Sequence, residues 1–348
     1  MKILYLENPK VDYGSAMLYD GLCKVLGEKN VIDYPLKDLF HGTSPWPYII
    51  DRDNHHYATD EMILKDMQSF DVLVLASTRE VNIAKLREWI ANDIDLPPIV
   101  LIDQDEPTEL DMLLVNEFQP ICSFKREYLL DREYPHNCFP IPFSSSYPLM
   151  HQQNLVHRPI DVYACMMDTH PKRRWVDYTI RQLSHMGFNY EGNFHRPYET
   201  WYDYMDKFSQ AKIGIAVRGF GCDTNRFLEV IASHCLLITD ELHLIKPYPF
   251  IHKKHCVYFE DGNLGWHISH YLHSNSVNER QQIATQGFNH LLEYHTTESR
   301  ASYFLDIVEE FLKGQPFEFN PRKYCFAPTN HIITEKQRSI KTIMDGAK

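Results

Sequence analysis

The sequence predicts an α/β protein made of two Rossmann-like domains. Three observations carry this expectation. The chain has 348 residues, more than the roughly 250–300 at which a single hydrophobic core stops growing. Short β-branched runs alternate with segments of helical period through most of its length. One stretch rich in proline and serine, Asn137 to Pro159, interrupts the alternation, which then restarts.

The first alternation opens with the strand pattern KILYLE. YGSAMLYDGLCKVLG follows it, with Met17, Leu18, Leu22, Val25 and Leu26 at helical spacing. It continues as NVIDYPL (strand), MILKDMQSF (helix), DVLVLAS (strand), VNIAKLREWIAN (helix), PPIVLIDQDE (strand), TELDMLLVNEF (helix) and PICSFKREYLL (strand). Alternation of this kind builds a parallel, doubly wound sheet. The second series runs IDVYACM (strand), PKRRWVDYTIRQLSHMG and YETWYDYMDKFSQA (helices), KIGIAV (strand), TNRFLEVIASH (helix), then CLLITD and CVYFED (strands), and closes on two long helical segments. The expected division is a first domain at 1–145, a linker at 146–158, a second domain at 159–314 and a tail at 315–348 that can return to the first domain.

Composition narrows the function classes. A hydrophobic fraction of 44% with 24% charged residues is that of an ordinary globular protein. The net charge of −12, from 47 acidic against 35 basic residues, argues against a large face for duplex nucleic acid. No apolar run is long enough for a membrane span, and Glu7 interrupts the start MKILYLENPK before a signal-peptide core can form. Eight cysteines without a C-x-x-C pair read as free thiols in a reducing compartment, so a cytoplasmic location is expected. DRDNHHYATDE (Asp51 to Glu61) is rich in possible metal ligands but lacks ligand spacing, and no metal site is expected.

The stretch RGFGCDTNRFLEVIASHCLLITD (Arg218 to Asp240) follows the buried strand pattern AKIGIAV, so its loop starts where α/β folds place their ligands. Backbone amides from Gly219 through Gly221 to Asp223 sit between a strand end and a helix start, a setting that attracts an anion. Glu229, about one turn into the helix, offers two oxygens to neighbouring hydroxyls such as those of a ribose or hexose. Arg226 is three residues earlier, and it suits either a phosphate or a plain intrahelical ion pair with Glu229. Lys172, Arg173 and Arg174 open the helix after the first strand of the second domain. The helix dipole disfavours cations there, so the cluster implies a compensating anion or a surface patch. Arg218, at a strand end, is a further candidate.

YDYMDKFSQAKIGIAVRGFGCDTNRFLEVIASHCLLITD, then CVYFED and YHTTESRASYFL, resemble the carboxyl half of GT-B glycosyltransferases, most of all the spore-maturation CgeB-like group. The likeness covers about residues 158–313, and SFKREY and FPIPFS extend it to 120–145. It implies two domains facing a cleft, with a nucleotide-diphosphate sugar held by the second domain and an acceptor by the first. Glu229 matches the glutamate that hydrogen-bonds the donor ribose, while Arg226, Arg173 and Arg174 match diphosphate contacts. Many such enzymes carry another glutamate eight positions earlier, where this chain has Gly221.

The resemblance implies catalysis without an essential metal or cofactor, because arginines and helix amides can take up the charge of the leaving diphosphate. Asp12, after the first strand, and Asp103 and Asp105, after IVLID, are the candidate general bases; loop capping is the other role open to them. The acceptor is left open among proteins, glycans, small molecules and modified nucleobases, as is the oligomeric state. Two other readings remain: a nucleotide-sugar epimerase of the same fold, and a catalytically silent nucleotide- or sugar-binding protein. Trp46, Tyr48, Trp201, Tyr202 and Tyr204 are either sugar-stacking surfaces or core.

Overall fold

The short apolar runs of the first half become strands of one parallel sheet: β1 (Ile3–Leu6), β2 (Val31–Tyr34), β3 (Val72–Leu75), β4 (Ile99–Asp103), β5 (Cys122–Lys125) and β6 (Cys138–Pro140). These details come from a computed structural model that describes residues 1–10, 12–37, 40, 59–146, 158–194, 200–240, 243–314, 324 and 327–328. The strand order is β2-β1-β3-β4-β5-β6, and every neighbouring pair is parallel. Helices α1 (Tyr13–Leu26), α2 (Asp60–Asp66), α3 (Glu80–Ala91) and α4 (Met112–Phe118) supply the crossovers. Leu4, Leu6, Leu73, Leu75 and Leu101 pack with Ile63, Leu86, Trp89 and Leu114 in one buried cluster.

The second half repeats the plan with β7 (Ile160–Cys165), α5 (Pro171–Ser184), β8 (Tyr190–Asn193), α6 (Trp201–Gln210), β9 (Ala211–Ala216), α7 (Asn225–Ala232) and β10 (Leu236–Asp240). Then come β11 (Ile245–Lys246), β12 (Val257–Phe259), α8 (Leu264–Leu272), α9 (Val277–Tyr294), α10 (Thr297–Leu312) and β13 (Ala327–Pro328). Its parallel sheet has the order β12-β10-β9-β7-β8, and β11 pairs with β13 in a separate antiparallel ribbon. The core gathers Val162, Ala164, Ile213, Ile215, Leu236 and Ile238 under Val176, Ile180, Leu264 and Ile268.

The described residues fall into two compact units: Met1–Tyr128, Arg132–Leu149 and Glu293–Phe317 form the first, and Leu129–Asp131, Met150–Leu292 and Glu318–Lys348 the second. Helix α10 therefore belongs to the first unit, although the sequence reading carries the second domain to residue 314. The cause is the buried face of α1. Thr297 Oγ1 donates to Asp20 Oδ2 at 2.6 Å, Lys24 Nζ lies 2.7 Å from the same carboxylate oxygen, and Phe304 meets Phe124 with ring centroids 4.9 Å apart. The short ribbon strands β11 and β13 and three further elements escaped the reading. Strand β6 sits at a sheet edge, where proline is tolerated because no ladder donor is needed; β8 is polar and also an edge; and α8 is short. Residues 147–157 of the expected linker and nearly all of the tail lie outside the described residues.

The seven described cysteines are free, and all but Cys222 are buried. Among the described residues no helix is long and apolar enough to cross a membrane. Residues 51–58 of the histidine-bearing stretch lie outside them, as do Trp46 and Tyr48.

The docking of α10 makes Gly21 intolerant of a side chain. A Cβ there would lie 2.0 Å from the Thr297 carbonyl oxygen and 3.0 Å from Ala301 Cβ. Gly21→Ala gains about 1 kcal/mol of helix propensity but must push α10 away, an overpacking cost of about 1–3 kcal/mol. The expected result is a lower urea midpoint for the first unit; a raised midpoint would show that propensity outweighs the contact.

Candidate functional site

Both sheets share a topological feature. The order in which successive strands are laid down reverses between β1 and β3 in the first unit and between β7 and β9 in the second, and open parallel sheets bind ligands outside the carboxyl ends at such a switch point.

In the second unit the two loops that flank the switch are tied by one side chain. Arg173, in the first turn of α5, donates from Nη1 to the Met167 carbonyl at 2.8 Å, from Nε to that of Arg218 at 3.0 Å and from Nη2 to that of Val217 at 3.2 Å. Gly219 lets the guanidinium in, since a Cβ there would lie 2.6 Å from Nη2. Burial pulls the Arg173 pKa down to about 10, helped by the positive charge of Arg226 nearby. The sequence reading makes Arg173 a diphosphate contact; here three backbone carbonyls take its donors, so it clamps the two loops and is left to act on an anion through its charge.

The loop itself is held from several sides. The Gly219 amide donates to the Gly221 carbonyl at 2.9 Å, and the buried pair Lys246 and Asp223 anchors its far end. Arg218 Nε donates to Asp240 Oδ2 at 2.6 Å, and the Arg218 amide to Oδ1 at 3.1 Å. Asp240 is fully buried at the end of β10, so its charge fixes Arg218 beside the loop. Lys172 Nζ lies 4.0 Å from Asp240 and 2.9 Å from Asp261. Arg174 is 68% exposed and pairs with Asp168 at 3.3 Å, which makes it a surface cation.

Helix α7 starts at this loop, and the side chain of its N-cap, Thr224, makes no capping hydrogen bond. Arg226 and Glu229 do not form the intrahelical ion pair that their spacing permits. Glu229 Oε2 instead accepts from the Tyr204 hydroxyl at 2.6 Å, and the Arg226 guanidinium lies over the Tyr204 ring at 5.9 Å. Arg226 Nε and Asn225 Oδ1 are buried without a hydrogen-bond partner among the described residues. Burial pulls the Arg226 guanidinium down, but Tyr204 and Glu229 outweigh it and leave the pKa raised. Two charged guanidiniums, Arg173 and Arg226, thus stand close enough to repel, and neither has a carboxylate within ion-pair distance among the described residues. An anion would relieve that repulsion. Tyr204 and Trp201 are core, whereas Tyr202 is exposed.

In the first unit Asp12 caps α1 by accepting from the Ser15 amide at 3.3 Å; burial raises its pKa. Asp103 is buried and accepts from Lys125 Nζ at 2.7 Å, with burial again raising its pKa against the pull of Lys125. Asp105 accepts from the Thr78 hydroxyl at 2.6 Å and faces Arg79 at 3.4 Å. Asp12, unlike the other two, has no ion-pair partner among the described residues. The sequence reading missed Glu7, Lys37, Lys125 and Asp240 as site residues, and it named Tyr204 only as a sugar-stacking surface or core. The first three and Asp240 share one readable signal: a charged residue at or just beyond the carboxyl end of an apolar parallel strand.

The sequence family described as glycosyl transferase-like matches residues 162–306, which contain the whole β7/β9 switch and its loops. Among curated proteins no sequence matches the chain. Several solved structures share its fold. HepE from Anabaena in complex with UDP-glucose superposes with a TM-score of 0.54 at 10% identity, covering 89% of this chain and 100% of that one. A glycosyltransferase from Rickettsia africae gives 0.56 at 10% identity, with 90% and 99% covered. Sucrose-phosphate synthase from Thermosynechococcus elongatus gives 0.52 at 10% identity, with 90% and 100% covered. The chain shares the two-domain GT-B fold of these structures, and within its second half residues 162–306 are similar to the glycosyl transferase-like family.

Proposed function

We propose that the protein transfers a glycosyl group from a uridine-diphosphate sugar, bound by the second unit, to an acceptor hydroxyl bound by the first. The observation that carries the donor half is the pair of guanidiniums, Arg173 and Arg226, left without a carboxylate at the β7/β9 switch. A diphosphate supplies the missing charge, and Arg218 and the uncapped start of α7 add donors. Glu229, one turn further along α7, accepts from ribose hydroxyls. The choice of uracil rests on HepE, whose solved structures hold UDP-glucose, UDP, and UDP with glucose. The finer likeness to the CgeB-like group rests on the segments given above.

The chemistry follows from these groups. The acceptor oxygen forms a bond to the anomeric carbon while the bond from that carbon to the diphosphate oxygen breaks. The electron pair leaves with the diphosphate, where guanidiniums and amides stabilise it without a metal. The acceptor proton passes to Asp12, the candidate carboxylate without an ion-pair partner among the described residues.

The test is a thermal-shift titration of the full chain with UDP, GDP, ADP, CDP and TDP, with and without magnesium. UDP at 100 times its dissociation constant should add about 2.7 kcal/mol of apparent stability in either condition. Stabilisation by none of them sinks the donor assignment; stabilisation by another diphosphate corrects the nucleotide; and a strict need for magnesium overturns metal independence.

A further inference from the structure

At the carboxyl edge of the second unit's sheet one lysine is shared by two carboxylates of unlike kind. Lys172, in the first turn of α5, lies 4.0 Å from Asp240 Oδ2 and 2.9 Å from Asp261 Oδ1. Asp240, the last residue of β10, is fully buried. It already holds Arg218, which donates from Nε at 2.6 Å and from the backbone amide at 3.1 Å. Asp261, two residues past β12, is 80% exposed.

The two contacts differ in strength. A buried carboxylate cannot do without its cation, and Arg218 meets Asp240 through two hydrogen bonds, so that pair is fixed. Lys172 comes to Asp240 only as a second, more distant charge. Its pair with Asp261 is weak, because water and salt screen an exposed carboxylate. Both partners are nevertheless held in place. The Lys172 ammonium stands over the buried Phe259 ring at 5.6 Å. Opposite it, the Glu260 amide donates to Asn263 Oδ1 at 3.0 Å and the Asn263 amide to the Glu260 carbonyl at 3.2 Å. Gly262, with φ +98°, supplies the conformation that closes this turn, and Asp261 stands at its tip.

Lys172 adjoins the groups assigned to the donor. It flanks the same Asp240 oxygen as Arg218, and the next residue, Arg173, ties the loops after β7 and β9. A diphosphate at this edge carries more charge than a carboxylate and competes with Asp261 for the ammonium. The buried Asp240–Arg218 pair keeps its place, and the exposed carboxylate is the one that yields.

We infer that Asp261 is a built-in competitor of the donor's diphosphate: it holds Lys172 until the nucleotide binds and takes it back as the nucleotide leaves. The inference rests on the proposed donor site and adds a restraint to it. Asp261 keeps the affinity for a diphosphate below what the cations alone would give, and it thereby speeds release of the nucleotide product, a step that limits many enzymes.

The experiment uses the full chain and two probes, UDP and inorganic pyrophosphate, titrated by calorimetry at low and at high salt. Asp261→Asn keeps the shape of the side chain and removes its charge. It should tighten both probes by about 3- to 5-fold, the upper part of the range for an exposed ion pair, and the gain should shrink at high salt. Glu260→Gln makes the same change of charge one residue away, on an exposed side chain, and should leave both affinities within about 1.5-fold of wild type. Lys172→Met should weaken both probes, and Asp261→Asn added to it should bring no gain, because the competitor then has nothing to give up. An Asp261→Asn protein that binds both probes no tighter than wild type, a gain that persists beside Lys172→Met, or an equal gain from Glu260→Gln would each overturn the inference. The gain with pyrophosphate but no binding of UDP would sustain it while sinking the donor assignment, and UDP binding without the gain would do the reverse. Binding of neither probe by any of these proteins would overturn both.

Discussion

Glu229→Gln is expected to weaken binding of UDP by about 10- to 100-fold while leaving the melting temperature of the free protein nearly unchanged. The affinity loss is that of a charge-assisted hydrogen bond, about 1.5–3 kcal/mol. The small effect on stability follows from Tyr204. Its buried hydroxyl donates to Glu229 Oε2 at 2.6 Å, and glutamine keeps an oxygen for that bond. Glu229→Ala removes the acceptor as well, so it should lose both affinity and stability, the latter by about 1–3 kcal/mol for an unsatisfied buried hydroxyl. Tyr204→Phe completes the set: it lowers stability by about 1 kcal/mol and leaves the carboxylate in place for the ligand. Calorimetry with UDP and thermal melts of the three variants decide the matter. A Glu229→Gln protein with wild-type affinity would show that this carboxylate serves only to hold Tyr204.

Much of this architecture is legible in the sequence because its signals are local. Runs such as VLVL and IVLID have nowhere to go but a buried parallel strand, and the loops after them are where a doubly wound sheet places ligands. What the sequence cannot show is which partner wins when several are within reach. Arg226 and Glu229 have the spacing of an ion pair, yet a phenol from α6, 25 residues from Glu229 in the chain, takes the carboxylate. Arg173 and Arg174 are neighbours of the same chemistry, but the helix turns one into the fold, 5% exposed, and the other out to water. Helix α10 reads as a continuation of the second domain because it follows α9 directly. Its assignment depends on a face of α1 nearly three hundred residues away, and no local pattern encodes that.

The clamp at Arg173 predicts the opposite order of effects from Glu229. Arg173→Lys removes a fork that reaches three carbonyls, those of Met167, Val217 and Arg218. A lysine, with a single nitrogen on a flexible stem, can serve only part of that set. Acceptors left unpaired in a buried place cost about 1–3 kcal/mol each, so a total loss of about 2–4 kcal/mol is expected even after water reaches some of them. The loss should be local. The two loops it frees flank the β7/β9 switch, so amides near Met167 and Val217 should exchange hydrogen faster, whereas β1 to β5 of the first unit keep their protection. UDP, if it bridges these loops as proposed, should restore part of the protection, because a ligand that binds only the ordered loops stabilises them by mass action. Hydrogen exchange read peptide by peptide, with and without UDP, tests both steps. If exchange in the two loops is unchanged in Arg173→Lys, the three hydrogen bonds do not hold the site together. If exchange rises but UDP fails to slow it in a variant that still binds UDP, the nucleotide lies away from this switch point, and the donor site has to be sought elsewhere on the second unit.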